Sequence, residues 1–198
     1  MHNILFPSTK YGIPLLDIRM QAHSIELPFE VWGRSSRSSA RGGTRCFYTD
    51  DYKFSALWKH PESLCRTGIK TAVEANYSTN EMQPEAFMIY NVFKKRWLSR
   101  YWQSNGISMI VDLNVDVNHM DINLIGVPSG WGAFATRAHR GRNEEIRSMF
   151  DVASSVAGGV PEMFVVYGGG QEVKAQCETN SWIWVPEHMQ VVKTRSEV

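Results

Sequence analysis

The sequence predicts an α/β fold: a parallel (β/α) barrel-like sheet of about six strands, reduced or open, with an extended N-terminal arm. Three observations lead there. Apolar runs enter polar or glycine-rich loops, most plainly Phe164-Val165-Val166-Tyr167 into Gly168-Gly169-Gly170. Amphipathic helical stretches separate these runs, and short connections make parallel strands with right-handed crossovers the default. The chain has 198 residues, 43% of them hydrophobic, which suits one domain. A complete eight-stranded barrel takes about 250 residues, so a reduced barrel fits best and a doubly wound sheet comes second.

Residues 1–44 read as the arm. Prolines 7, 14 and 28 favour extended backbone, with a strand expected around 24–32. Small residues then space Arg34, Arg37, Arg41 and Arg45 along a loop. Residues 45–187 form the single α/β domain, and 188–198 a C-terminal tail.

Within the domain, strands are expected at 45–49, 69–77, 108–115, 132–138, 163–167 and 182–185, with a shorter apolar segment at 122–127. A short helix over 52–64 is interrupted near Pro61. The longest helix runs over 84–102, its apolar stripe drawn through Phe87, Tyr90, Phe93, Trp97 and Tyr101, until Asn105-Gly106 stops it. Lys94, Lys95 and Arg96 fall on its opposite, solvated side. The helix from Asn143 gains from Glu144 and Glu145 at its positive end, and a shorter one spans 171–177.

Composition narrows the function classes. Lys and Arg total 21 against 20 Asp and Glu, so no global field drives the chain onto nucleic acid or membrane. Three separated cysteines lack disulfide or metal spacing and read as free thiols. No apolar run reaches the roughly 18 residues of a membrane span, and no signal-peptide pattern opens the chain. The expected location is therefore a reducing cytosol, with no membrane partner.

In parallel α/β folds the carboxyl ends of the strands share one crevice. There the sequence gathers Asp50, Asp51, Glu74, Asn76, Asn114, Asp116, Arg137, His139 and Tyr167. Asp50, Glu74 and Asp116 are the acid–base candidates. Gly168, Gly169 and Gly170 before a helix form a phosphate-cradle candidate, although the lysine of a P-loop is missing. Arg137, His139, Arg140 and Arg142, with Arg34, Arg37, Arg41 and Arg45, compose a candidate track for a nucleic-acid backbone. Asp112, Asn114 and Asp116 alternate along a strand and project to one face, so a divalent metal is the candidate cofactor.

A set of landmarks carries a family resemblance: Asp51-Tyr52 with Phe54 and Trp58, then Arg100-Tyr101-Trp102-Gln103-Ser104-Asn105-Gly106-Ile107, Gly126-Val127-Pro128 and Val166-Tyr167-Gly168. In this the chain resembles a phage and mobile-element family known as a domain of unknown function. The resemblance implies a barrel-like α/β fold, a phage or mobile-element origin and a place of action in the cytoplasm of the bacterial host cell, and it supplies no site residues. Glu74 followed by Ala75-Asn76, the lack of a tryptophan near Val115 and the arginine-rich 137–142 loop depart from the family pattern.

Three functions are then in view. The first is a DNA-binding protein of replication or genome maintenance, with the arginines on phosphate. The second is a reduced-barrel enzyme for a phosphorylated or sugar-like ligand. The third is a host-directed, anti-defence module that grips a host protein through aromatic residues including Trp131 and Trp32. Oligomeric state stays open at this stage.

Overall fold

The computed structural model describes residues 6–33, 42–79, 82–139 and 143–187. Its strands are β1 (Phe29–Val31), β2 (Thr44–Cys46), β3 (Thr71–Val73), β4 (Ser108–Asp112), β5 (Ala133–Ala138), β6 (Met163–Gly168) and β7 (Ile183–Val185). The helices are α1 (Glu62–Cys65), α2 (Glu85–Ser104), α3 (Met120–Asn123), α4 (Asn143–Ala157) and α5 (Gln171–Asn180).

The strands stand in chain order from β1 to β7, and every neighbouring pair is parallel. Each crossover therefore advances the same way, and with a constant hand the right-twisted sheet curls on itself. The doubly wound alternative needs a reversal of strand order, which this sheet lacks. The result is a nearly closed barrel.

Alternation along the strands separates two cores. Val31, Cys46, Val73, Ile110, Ala135, Val165 and Val185, drawn from all seven strands, fill the inside. Their neighbours Ala72, Met109, Val111, Phe134, Phe164 and Val166 face outward and pack under the helices with Leu98, Trp102, Ile146 and Val173. The small and β-branched residues of the interior, closed off by Tyr48, Met163 and Tyr167, suit a barrel too narrow for a channel.

The seventh strand comes from the arm, since β1 lies inside the stretch assigned to it. The rest of the arm is bound closely. Gln103 and Asp17 exchange two hydrogen bonds, each at 2.9 Å, between the amide side chain and the backbone. Phe6 packs on Trp97 with ring centroids 5.8 Å apart. Leu16 donates to the Gly126 carbonyl at 2.9 Å. Gly126 has φ +87°, and a Cβ there would overlap the Pro14 carbonyl, which explains the glycine before Val127-Pro128. Ala22 bonds to the Met109 carbonyl at 2.9 Å and joins the interior core.

The apolar segment at 122–127 forms part of α3 and a turn, with Asn123 fully buried among polar partners. One expectation is corrected. On α2 the stripe is rotated: Lys95 and Arg96 are 3% and 0% exposed, whereas Phe87 and Tyr90 are 58% and 49% exposed. The reason lies at the strand ends that α2 covers, which carry carboxylates that demand cations.

Candidate functional site

Two polar regions stand at the carboxyl ends of the strands. The first is sealed under α2. Arg96 donates through Nη1 to Glu74 Oε1, through Nη2 to the Asn123 carbonyl and through Nε to the Ile125 carbonyl at 3.0 Å. Glu74 Oε2 accepts from the Asp112 amide at 3.2 Å. Lys95 Nζ donates to Asn123 Oδ1 at 2.7 Å and to the Asp112 carbonyl at 3.2 Å, and stands 3.4 Å from Asp112 Oδ2. Tyr48 and the Asn114 amide both donate to Asp112 Oδ1 at 3.1 Å. Two carboxylates are balanced by two cations, all buried. Burial raises the Asp112 carboxyl and the Tyr48 phenol above their ordinary values and pulls the Lys95 ammonium below its own.

The second region is open. A cleft of about 570 Å³ lies between the loops after β3, β4 and β5 and the first turns of α4. Asn114, Asp116, His139, Glu145 and Ser148 supply its polar lining, and Val115, Met120, Met149 and Val152 its apolar wall. The volume falls in the range of small-molecule sites, about 300–1,000 Å³. Asp116 Oδ1 accepts from the Asn118 amide at 2.8 Å, which caps the short turn Val117–His119 and fixes the carboxylate at the cleft edge. Glu145, Ser148, Met149 and Val152 recur at helical spacing and so share one face of α4. Thr136 donates to Met149 Sδ at 2.8 Å and positions that sulfur.

The structure sorts the sequence candidates. Asp116, Asn114 and His139 meet in the cleft. Glu74 is fully buried against Arg96, out of reach of a ligand. Asp50 is exposed and paired with Lys53 at 3.1 Å, and Asp51 accepts from the Ser78 amide. Asp112 belongs to the sealed network, so the trio Asp112, Asn114 and Asp116 is split between two regions. Among the described residues no group of three His, Cys, Asp or Glu is placed to hold a metal ion.

Arg45 is 3% exposed and pairs with Glu30 at 3.0 Å across β1 and β2, so it does not face a nucleic-acid track. Arg34, Arg37, Arg41, Arg140 and Arg142 lie outside the described residues, as does the 188–198 tail. Gly168, Gly169 and Gly170 all adopt positive φ, and a Cβ on Gly169 would overlap Val173 and Ala138. The glycines thus serve a tight turn that lets α5 close on β5. Arg137 points into the barrel mouth, its Nη2 3.6 Å from Glu187 Oε1. Trp131 is fully buried, donating to the Ala133 carbonyl at 2.7 Å, and Trp32 packs on the core, so neither offers a binding face.

Sequence reasoning missed Glu145 and Ser148 as cleft residues. Glu145 was legible as a favourable charge at a helix start, and only its i, i+3 and i+4 partners marked a common face. It also missed Lys95 and Arg96, whose partners are distant in sequence.

Comparison with known proteins supports the family resemblance. The pattern of the domain of unknown function DUF4417 matches residues 6–179. The chain belongs to this family. The Gene 1 protein of Mycobacterium phage D29 is 31% identical over 111 residues, covering 53% of this chain and 40% of that protein. The Gene 1 protein of Mycobacterium phage L5 is 35% identical over 75 residues, covering 37% and 33%. The matched stretches thus span less than half the length of these curated relatives. No solved structure matches. The barrel-like fold and phage affinity expected of this DUF4417 member are borne out, and among its described residues no helix is long and apolar enough to cross a membrane.

Proposed function

We propose that this phage-related protein binds a small molecule in the cleft between α4 and the loops after β3, β4 and β5, and acts on it by acid–base chemistry. The observation that carries this reading is the convergence of Asn114, Asp116, His139 and Glu145, from three chain segments, around one cavity of about 570 Å³. His139 is the group that moves the proton, because an imidazole is the side chain whose ordinary pKa lies nearest neutrality. Asp116 and Glu145 set the local field. Asn114 offers both a donor and an acceptor for orientation.

The described lining includes two carboxylates and no lysine or arginine, a field that disfavours phosphate. A neutral polyhydroxyl or cationic ligand with an apolar side therefore fits better than a phosphorylated one. The methionine and valine wall would take that apolar side. Of the arginines in the candidate nucleic-acid track, Arg45 is buried and Arg137 is the one within the described residues that stays partly open to solvent, so DNA binding ranks below this reading.

The test is a melting-temperature screen of the full chain against sugars, nucleosides, amines and inorganic phosphate, repeated on Asp116→Asn and His139→Gln. A neutral or cationic compound should raise the parent's Tm. That rise should shrink in Asp116→Asn. His139→Gln should retain binding but lose turnover of the compound. A ligand that stabilises parent and Asp116→Asn equally would place the site elsewhere, and salt-sensitive DNA binding without any small-molecule hit would favour the nucleic-acid reading.

A further inference from the structure

The barrel mouth holds a polar feature of its own. Arg137 and Tyr167 are register partners on β5 and β6, and both follow the inward alternation of their strands. Tyr167 stacks between Phe29, at 6.1 Å, and Tyr48, at 5.4 Å, and these rings close the interior beneath the guanidinium. Arg137 is only 32% exposed. Its Nε is buried and meets no acceptor among the described residues. Its recorded ion pair, with Glu187, is 3.6 Å long, past hydrogen-bonding reach.

A guanidinium carries five N–H donors in a planar fork, matched by two oxygens of one carboxylate or phosphate. Glu187 gives Arg137 a nearby charge without that match. Its carboxylate also lies against Gly168, where a Cβ would come within 3.0 Å of Glu187 Oε1. Only a glycine lets the segment after β7 bring an anion so close to β6.

We propose that Arg137 is the receptor for a ligand oxyanion at the barrel mouth, and that the chain's own Glu187 carboxylate stands in that anion's place. A carboxylate or phosphate that engages the fork bidentately forms the hydrogen bonds Glu187 leaves unmade. Two anions on one guanidinium repel, so the ligand displaces Glu187 and the segment that bears it. Trp184 Nε1 donates to the Gly168 carbonyl at 2.8 Å, which links β7 to the glycine turn and passes that displacement to the start of α5. This site is separate from the cleft, where carboxylates dominate the described lining, so it stands or falls independently of the proposed function.

The experiment titrates inorganic phosphate and acetate into the full chain by calorimetry at constant ionic strength, with chloride as the reference anion. Glu187→Gln should bind both anions more tightly than the parent, by about tenfold for the removal of one facing charge. Arg137→Gln, introduced into Glu187→Gln, should abolish that binding, and Arg137→Lys should restore part of it. Stronger binding of phosphate points to a phosphorylated ligand and stronger binding of acetate to a carboxylic acid. Equal affinities in parent and Glu187→Gln would overturn the proposal, as would binding that survives Arg137→Gln. If the Arg137 variants do not fold, the Arg137 Nε–H resonance of ¹⁵N-labelled Glu187→Gln supplies the readout. A resonance that phosphate and acetate leave unmoved overturns the proposal.

Discussion

Glu74 and Asp116 both follow strands on the same end of the barrel, yet they belong to opposite worlds. Glu74 is fully enclosed by Arg96, Ser99 and the Asp112 amide, whereas Asp116 stands on the rim of a cavity of about 570 Å³. The same chemical group is structural in one place and available in the other. What separates them is the helix overhead: α2 lays two cations onto β3 and β4, while α4, packed on β5 through Met149, turns a carboxylate and a hydroxyl toward the cleft.

The sharpest way to break this contrast is to remove one member of the sealed set. Arg96→Ala leaves Glu74 buried without its cation and should cost about 3–5 kcal/mol in urea unfolding. A loss under about 1 kcal/mol would mean that water already reaches Glu74. Lys95→Met should cost several kcal/mol by the same argument, and Lys95→Met/Asp112→Leu should recover the part that comes from the unpaired Asp112 charge, while the Tyr48 hydroxyl and Asn114 amide left without an acceptor keep the recovery incomplete. No recovery at all would show that hydrogen bonding, not charge balance, is what Asp112 supplies.

The signs of the pKa shifts support that prediction. The Asp112 carboxyl is raised by burial, so its contribution to stability is full below its ordinary value near 3.8 and is lost as pH climbs through the folded value. The Lys95 ammonium is lowered by burial, so its contribution is full above 10.5 and is lost as pH falls through the folded value. Both shifts run toward the uncharged form, so burying each charge carries a cost that an apolar pair avoids.

Gly126→Ala should come next. The positive φ and the overlap with Pro14 predict a loss above about 1 kcal/mol and a loosened arm, visible as faster hydrogen exchange at the Leu16 amide. By contrast, Asp116→Asn in the cleft should leave stability within about 0.5 kcal/mol while ligand binding weakens. A large stability loss there would move Asp116 into the structural class.

The smallest effect belongs to the arm. The Arg19 guanidinium holds the Asp17 carboxyl down at about 2, so its contribution is present above 3.8 and is lost as pH falls toward 2. Asp17→Asn should make the acid limb of the stability curve shallower in that window. An unchanged limb would show that the exposed Arg19 does not hold the pair in solution.

Much of the barrel was legible because its signals are local. The Asn143 helix showed its acidic first turn and apolar stripe, and each run from 45 to 185 showed β-branched or aromatic residues ending in polar loops. β1 was harder, since three residues between a proline and a glycine become a strand only beside β2. The 84–102 helix was located correctly and its face only in part: Trp97 is buried and Phe93 and Tyr101 pack on the core as expected, but Phe87 and Tyr90 are exposed and Lys95 and Arg96 sealed. Periodicity ranks residues by hydrophobicity, and it assigns Lys95 and Arg96 to water when their partners Glu74, Asp112 and Asn123 are 17 to 28 residues away.

By itself the sequence determined most of the strands, the long helices, their parallel winding and part of the list of groups able to do chemistry, because periodicity, turn residues and connection length act over a few residues. Only the tertiary structure decided which carboxylates are sealed and which open onto a cavity, and that Arg137 faces Glu187 across the mouth. Those outcomes depend on solvent exclusion and on charges brought together from distant segments, and both are properties of the packed chain.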